Sequence, residues 1–247
     1  MKNEKAYKLL ALQEGITNNA AKELIDSELV YANGKKILIA RVLMNVDTKF
    51  KVVKQEKPKI IFEDSVIMAV NKPVFVLSDK VAQICQATLL NRLDKGTSGV
   101  LLLTKDEEFR TRAIKEFIDM RVKKTYLAIV NGIVSQELVI DDPILTIKGK
   151  GSAFSKISPN GKSAITKVYP YMISGKKSLV KIEIDTGRTH QIRVHLASQN
   201  LGVVGDEKYS KSSSKRMYLH SYKTEILDYE FIAPLDSSFN EFGFEIP

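Results

Sequence analysis

The residues best suited to chemistry lie between Asn91 and Asp106, in the sequence N-R-L-D-K-G-T-S-G-V-L-L-L-T-K-D. Asp94 precedes a turn of small residues, and the apolar run Val100–Leu103 that follows predicts a buried strand. A carboxylate against a buried strand is costly unless a cation or hydrogen bonds balance its charge. Asp94 is therefore a candidate catalytic acid, with a structural ion pair as the alternative.

Arg193 is the best candidate for the cation that balances Asp94. A helix predicted over Thr189–Gln199 places Arg193 on the same face as Leu196 and Ala197, which we expect to face the core. An arginine on an apolar face needs a carboxylate partner. We expect Arg193 to pair with Asp94, and a purely structural arginine stays open as the alternative.

Other kinds of active site find little support in the sequence. His190 and His195 are five residues apart, so they do not share a helical face and make a poor metal pair. The turn Gly96–Gly99 is not the nucleophile elbow of serine hydrolases, and no glycine-rich nucleotide loop opens a convincing helix. We therefore expect chemistry that needs no metal and no organic cofactor.

The composition favours a polyanionic partner inside the cell. The formal net charge is +9 over 247 residues, which favours nucleic acid through counterion release. No stretch of eighteen apolar residues is present, and the chain starts without an apolar signal segment, so we expect no membrane partner. Cys85 is the single cysteine, which excludes an internal disulfide and fits a reducing, cytoplasmic location.

Two domains joined by a linker are predicted. Residues 1–54 predict a small αβ unit with helices over 5–14 and 20–27, a hairpin of strands 29–32 and 37–39 around Asn33-Gly34, and a strand over 50–53. Residues 55–59 predict the linker, because they are charged and contain Pro58. Residues 60–247 predict one larger domain.

The larger domain is predicted to be α+β, because its strands outnumber its helices and do not alternate regularly with them. The predicted strands cover residues 60–62, 66–71, 99–104, 124–130, 163–169, 179–185 and 218–226. The predicted helices cover residues 83–90, 106–120 and 189–199. The Gly-, Ser- and Lys-rich residues 149–163 predict a mobile basic loop.

Three sequence blocks resemble the RluA class of RNA pseudouridine synthases. They are the residues 91–99, 124–132 and 187–206, in family order. The chain departs from the family pattern at Asn91, where His is usual, and at Lys95-Gly96 in the variable pair. The resemblance implies a mixed, mainly antiparallel catalytic domain and an RNA partner.

The same resemblance implies roles for individual residues. Asp94 would be the catalytic acid and Arg193 its salt-bridge partner, while Tyr126 would stack on the target uracil and move a proton. Without the resemblance, Tyr126 would be taken as a core residue of a strand. RNA contacts would come from Arg92, Leu219, Arg188 and His190.

The N-terminal unit resembles the small RNA-binding domain named after ribosomal protein S-four. The resemblance rests on Ala21, Leu24 and Ile25 in the second helix and on the V-x-x-N-G-K run over residues 30–35. It implies that the two helices contact duplex RNA. The phosphate contacts would come from Lys22, Lys35 and Lys36, and solvated surface lysines are the alternative.

We expect a monomeric enzyme that modifies large-subunit ribosomal RNA. The choice of RNA follows from family precedent for this pairing of domains. A tRNA substrate is one alternative, and a non-catalytic RNA-binding factor is another. The combination of Asp94, Tyr126 and Arg193 argues against the second alternative, since a binding protein needs none of the three together.

Overall fold

The computed structural model describes residues 2–149 and 153–245. The chain divides into two compact units, residues 1–57 and 58–247. The division falls inside the segment 55–59 that the sequence predicts as a linker.

The N-terminal unit holds two helices and five short strands. Their bounds are β1 (Asn3–Lys5), α1 (Ala6–Glu14), α2 (Asn18–Asp26), β2 (Val30–Ala32), β3 (Lys35–Lys36), β4 (Leu43–Asn45) and β5 (Phe50–Val52). Gly15 ends α1 in the left-handed conformation, and the Thr17 side chain caps α2 by accepting a hydrogen bond from the Ala20 amide. Asn33 and Gly34 both have positive φ, which suits the tight turn from β2 into β3.

One strand of this unit is not where the sequence predicts it. The second hairpin strand is Lys35–Lys36 rather than residues 37–39. The Ile37 amide still donates to the Val30 carbonyl, but Leu38 and Ile39 then leave the sheet with their side chains exposed. The prediction fails here because it takes Leu38 and Ile39 as strand residues of the core, whereas both side chains are exposed.

The C-terminal unit is built on a large sheet. Its helices are α3 (Ser78–Cys85), α4 (Glu107–Ile118), α5 (Gln191–Ser198) and a 3-10 helix (Ser237–Phe242). Its strands are β6 (Lys59–Glu63), β7 (Met68–Lys72), β8 (Thr88–Leu89), β9 (Ser98–Thr104), β10 (Lys123–Asn131), β11 (Leu138–Ile140), β12 (Ile144–Lys148), β13 (Ala153–Ile157), β14 (Thr166–Ser174), β15 (Lys177–Ile184), β16 (Leu219–Ile226) and β17 (Tyr229–Ile232).

The sheet is mixed and mainly antiparallel, as the sequence predicts. Its main order is β11-β14-β15-β10-β16-β9-β7-β6, while β17 pairs with β16 and β8 pairs with β9. The pair β9 and β16 is parallel, and the other strand pairs within the described ranges are antiparallel. The fold class is α+β, which confirms the prediction. The parallel pair brings residues far apart in sequence to one place, because β9 follows Asp94 and β16 begins at Leu219.

Two local predictions in this unit are wrong. The helix predicted over residues 83–90 lies earlier, at α3, because Gln86 adopts a left-handed conformation and ends it. The loop predicted over 149–163 contains β13, which pairs with β12 and buries Ser155. Residues 150–152 of that predicted loop lie outside the described residues.

Helix α5 packs its apolar side on the sheet and so fixes the side chains near its start. Ile192 and Leu196 are buried in one cluster with Tyr126 of β10 and Leu219 of β16. Burial of such side chains stabilises the unit by about 1.5–3 kcal/mol each. Arg193, next to Ile192, is held near the end of the loop that carries Asp94.

Candidate active site

An open pocket collects the predicted site residues of the C-terminal unit. It is lined by all seven of them: Asp94, Tyr126, Arg193, Arg92, Leu219, Arg188 and His190. They come from the loop before β9, from β10, from the segment around the start of α5 and from the start of β16. The sheet order thus assembles one site from four distant segments.

The turn after Asp94 is held by specific contacts of its small residues. The Thr97 amide donates to the Asp94 carbonyl at 3.0 Å. The Ser98 hydroxyl lies 2.8 Å from His220 Nδ1 and accepts a hydrogen bond of 2.6 Å from Arg216. Gly99 has φ +107°, and a Cβ there would lie 2.1 Å from the Ser221 carbonyl oxygen. The small residues are therefore needed for β9 to pair with β16 directly behind the acid.

Arg193 bridges two carboxylates. Its Nη1 donates to Asp94 Oδ2 at 2.7 Å, while Nε and Nη2 donate to Asp206 Oδ2 and Oδ1 at 2.8 and 2.9 Å. A planar guanidinium can bind two carboxylates in this way, whereas the single ammonium group of a lysine cannot. The predicted ion pair between Arg193 and Asp94 is present, but Asp206 takes two of the three hydrogen bonds.

The two carboxylates differ in exposure and in the use of their oxygens. The Asp206 side chain is 1% exposed, and its Oδ1 also accepts from the backbone amide of Lys208 at 3.0 Å. The Asp94 side chain is 27% exposed. Within residues 2–149 and 153–245, Asp94 Oδ1 accepts no hydrogen bond from the protein. One Asp94 oxygen is thus held and the other is available to a substrate.

The electrostatics keep Arg193 charged. Burial acts to lower the pKa of its guanidinium, but the hydrogen bonds and charges of Asp206 and Asp94 outweigh burial and raise that pKa. The Arg193 guanidinium also lies 5.0 Å from the centre of the Tyr209 ring, within the range of a cation–π interaction.

His190 lies closer to the acid than an RNA-contact role requires. Its Nε2 is 3.7 Å from Asp94 Oδ2, and its Nδ1 is 2.6 Å from the Tyr209 hydroxyl. Burial lowers the pKa of His190, and the charge of Asp94 opposes that shift. A neutral imidazole is therefore the main form near pH 7.

Tyr126 lies in the buried centre of the sheet and reaches the pocket. It is 8% exposed, and its cross-strand partners are Ile182 on β15 and Ser221 on β16. Burial, reinforced by the charge of Asp94, raises the pKa of Tyr126 to about 12. The phenol is therefore protonated at neutral pH and can donate a hydrogen bond to a bound base.

The remaining pocket residues differ in how firmly they are held. Leu219 is buried, and the Arg188 Nε donates to the Ser163 carbonyl at 3.0 Å. Arg92 is exposed and forms two hydrogen bonds with Asp79, at 2.7 and 2.8 Å. An exposed ion pair of this kind contributes little to stability, so Arg92 can exchange Asp79 for another anion.

Sequence reasoning assigned no role to Lys72. Its ammonium is fully buried and donates to the carbonyls of Pro73, Val76 and Lys95, at 2.9, 2.8 and 3.4 Å. Burial lowers the pKa of Lys72 to about 7, and the charge of Asp94 opposes the shift. Lys72 ties the end of β7 to the loop of Asp94. The residues Asn71-Lys72-Pro73 show no pattern that predicts a buried lysine. The one available indication is that Lys72 comes soon after an apolar strand.

The three predicted lysines of the N-terminal unit lie on its helix and hairpin. Lys22 Nζ is 4.6 Å from the centre of the Tyr7 ring, and Lys36 forms an ion pair of 3.4 Å with Glu28. Lys35 is exposed. Their side chains are compatible with phosphate contacts, and their role in RNA binding stays a prediction.

The described residues contain no cluster of His, Cys, Asp and Glu side chains that could hold a metal ion. Among these residues, no helix is long and apolar enough to cross a membrane.

Comparison with known proteins assigns the family. The sequence profile of a family described as RNA pseudouridylate synthase matches residues 69–198. An uncharacterized RNA pseudouridine synthase of Helicobacter pylori J99 is 52% identical over 237 residues, which cover 94% of this chain and 98% of that protein. The ribosomal large subunit pseudouridine synthase D of Borreliella burgdorferi is 34% identical over 196 residues, covering 68% of this chain and 60% of that protein.

A solved structure agrees with the sequence relatives. The human RNA pseudouridylate synthase domain containing 1 matches with a TM-score of 0.66 at 28% identity, over 72% of this chain and 84% of that one. The fold and the site define an RNA-modifying isomerase, and the chain belongs to the RNA pseudouridylate synthase family. The predicted RluA-class resemblance is confirmed.

Proposed function

We propose that this enzyme isomerises specific uridines of large-subunit ribosomal RNA, with Asp94 as the catalytic acid. The observation that carries the proposal is the asymmetric Asp94 carboxylate. Arg193 holds Oδ2 at 2.7 Å, while Oδ1 accepts no hydrogen bond from the described residues. Asp94 lines the pocket together with Tyr126 and Leu219.

The reaction needs an ionised carboxylate and no cofactor. The bond between uracil N1 and ribose C1′ breaks, the ring turns, and a new bond joins C5 to C1′. The proton leaves C5, and N1 gains a proton, so the atoms balance. A carboxylate can attack the sugar as a nucleophile or stabilise the positive charge that develops on it. In the proposed mechanism Asp94 Oδ1 does this work, while Arg193 holds the other oxygen, Oδ2, in place.

Tyr126 and Leu219 are proposed to hold the uracil. Both line the pocket, and the protonated Tyr126 phenol offers a hydrogen bond or a proton while its ring offers a stacking face. Family resemblance supports these roles.

We propose that the target base leaves the RNA stack to reach this pocket. Base flipping is the usual solution when an enzyme must reach an atom that stacking hides. Arg92 is the residue proposed to occupy the space that the base leaves, because it is exposed and its only ion pair in the described residues is with Asp79. Arg188 and His190 are proposed to contact the RNA from the start of α5.

The choice of ribosomal RNA rests on relatives and on charge. Two relatives carry the name ribosomal large subunit pseudouridine synthase D, from Borreliella burgdorferi and Pasteurella multocida. The net charge of +9 suits a large folded RNA. We further propose that residues 1–54 act as an S-four-like RNA-binding domain through Lys22, Lys35 and Lys36. A monomer is also proposed, and a cytoplasmic location is proposed because Cys85 is the single cysteine and fits a reducing compartment.

Mapping of modified uridines tests the target. Total RNA from cells with and without the protein is treated with carbodiimide, and the lasting adducts that mark pseudouridine are located by primer extension. We expect adducts in large-subunit ribosomal RNA that disappear without the protein. Adducts lost only from tRNA would move the target to tRNA, and no change in any RNA would contradict the proposed activity.

A further inference from the structure

Tyr209 connects the β12–β13 hairpin with the candidate active site. Its hydroxyl accepts a hydrogen bond of 2.9 Å from the Ser155 amide on β13 and lies 2.6 Å from His190 Nδ1. The other imidazole nitrogen, Nε2, is 3.7 Å from Asp94 Oδ2. One phenol oxygen therefore contacts both the hairpin and the imidazole beside the acid.

The directions of these hydrogen bonds determine the tautomer of His190. The Ser155 N–H can only donate, so the Tyr209 oxygen accepts from it. The hydroxyl proton has no other acceptor in the described part of the chain and is directed to His190 Nδ1. The neutral imidazole then carries its proton on Nε2, the nitrogen nearer to Asp94.

The ring of Tyr209 is held independently of its hydroxyl. It stacks on Phe154 at 5.4 Å, lies 5.0 Å from the Arg193 guanidinium, and meets His190 edge to face. Removal of the hydroxyl alone should therefore leave the packing in place.

We propose that Tyr209 is a positioning residue that ties the basic hairpin to the catalytic carboxylate, by holding His190 as the Nε2–H tautomer beside Asp94. This proposal rests on the proposed role of Asp94. The hairpin carries the exposed cations Lys148 and Lys156, which can contact RNA phosphates. RNA bound to them would therefore act on the contact between Tyr209 and His190.

The effect should depend on pH, because Tyr209 stabilises the neutral imidazole. The charged groups that face His190 are Asp94, Arg193, Asp206 and Lys208. Without the donor at Nδ1, the imidazole gains a proton more easily and becomes a cation beside Asp94. An added cation there weakens the carboxylate as a nucleophile, so the defect should grow as the pH falls.

The test uses Tyr209→Phe in the full-length chain, with Tyr171→Phe as the control because Tyr171 is an exposed strand tyrosine. We expect Tyr209→Phe to lower kcat about 3- to 10-fold, the equivalent of one net hydrogen bond. The acid side of its pH–rate profile should move to higher pH, while KM for RNA changes less than about 2-fold. Tyr171→Phe should match the wild type.

A spectroscopic readout tests the tautomer without any turnover. The chain has three histidines, and their ring nitrogens can be resolved in nitrogen-15 spectra, with His190→Gln to assign the signal. We expect the proton on Nε2 of His190 in the wild type and a changed signal in Tyr209→Phe. A proton on Nδ1 in the wild type, or an unchanged pH–rate profile in Tyr209→Phe, would overturn the proposal. Asp94→Asn separates the failure of one proposal from the failure of the other. Its activity tests the proposed role of Asp94, and its nitrogen-15 spectrum shows whether Tyr209 still holds the Nε2–H tautomer of His190.

Discussion

The two carboxylate oxygens of Asp94 differ in their hydrogen bonds, because Arg193 donates to only one of them. The Nη1 atom of Arg193 donates to Oδ2, and the other two nitrogens, Nε and Nη2, donate to the buried Asp206. Arg193 is thus fixed from behind by a carboxylate that solvent does not reach. Asp94 then gains a positioned cation without being fully buried itself.

The ion pair between Arg193 and Asp206 should dominate stability. Arg193→Ala leaves the buried Asp206 carboxylate without its cation and should cost about 3–5 kcal/mol. Asp206→Ala leaves Arg193 paired only with the partly exposed Asp94 and should also be strongly destabilising. The second substitution should then cost much less, which a double-mutant cycle from urea unfolding would measure. The cycle of Arg193→Ala with Asp94→Ala should give a coupling of about 1 kcal/mol or less, since Asp94 is partly exposed. Equal coupling in the two cycles would contradict the account.

The pairing of β9 with β16 after the Asp94 turn depends on one glycine, Gly99. Gly99 combines a positive φ with an approach of 2.1 Å between a Cβ and the Ser221 carbonyl oxygen. That close approach is where β9 pairs with β16 and sets the position of the acid relative to Leu219.

Gly99→Ala should therefore be severe. Backbone strain and overpacking together should destabilise the protein by at least about 3 kcal/mol and abolish turnover. Gly175→Ala is the matched control, because Gly175 also has a positive φ but has nothing within 4 Å of a Cβ. It should cost about 1–2 kcal/mol. Thermal unfolding of the two variants measures the difference, and similar losses would show that the strand contact at Gly99 is not what matters.

The elements that the sequence predicts well are those with a strong local pattern. The run Val100–Leu103 is fully buried in β9, and the Asn33-Gly34 turn forms as its residue types require. The hairpin β12–β13 is not predicted, because the Gly-, Ser- and Lys-rich residues between and after its strands indicate a loop. One of its anchoring contacts also comes from far away in the sequence, since the Ser155 amide donates to the Tyr209 hydroxyl. Helix α3 was misplaced because the left-handed Gln86 carries no glycine signal.

The site was predictable only in part for the same reason. Asp94, Tyr126 and Arg193 stand in motifs, and the structure brings them to one pocket. The contacts of Lys72 and Tyr209 depend on carbonyls and side chains that the sheet brings together. No spacing of residues in the sequence predicts these contacts.

At the scale of the whole molecule, positive charge should guide RNA binding. Residues 1–54 carry ten Lys and Arg against six Asp and Glu, and the complete chain has a net charge of +9. Charge of this kind acts mainly through phosphate contacts, which make binding depend on salt.

The double variant Lys22→Gln, Lys35→Gln should weaken RNA binding and flatten its salt dependence. Each lost phosphate contact should reduce the slope of log affinity against log salt by roughly 0.7–0.9. Filter binding of ribosomal RNA fragments at several salt concentrations measures the slope. Lys223→Gln is the control, because Glu225 and Glu230 already pair with that lysine. An unchanged slope in the double variant would mean that its lysines are only a solvated surface.

Turnover by Asp94→Asn tests the central claim most directly. The substitution keeps the size of the side chain and removes its charge, and isomerisation must release the hydrogen at uracil C5. Wild-type protein should therefore release tritium from ribosomal RNA labelled at C5 of uridine, while Asp94→Asn should release none and still bind the RNA within about 2-fold of the wild-type Kd. Tritium release by purified Asp94→Asn above the background without enzyme would contradict the assignment of Asp94 as the catalytic acid.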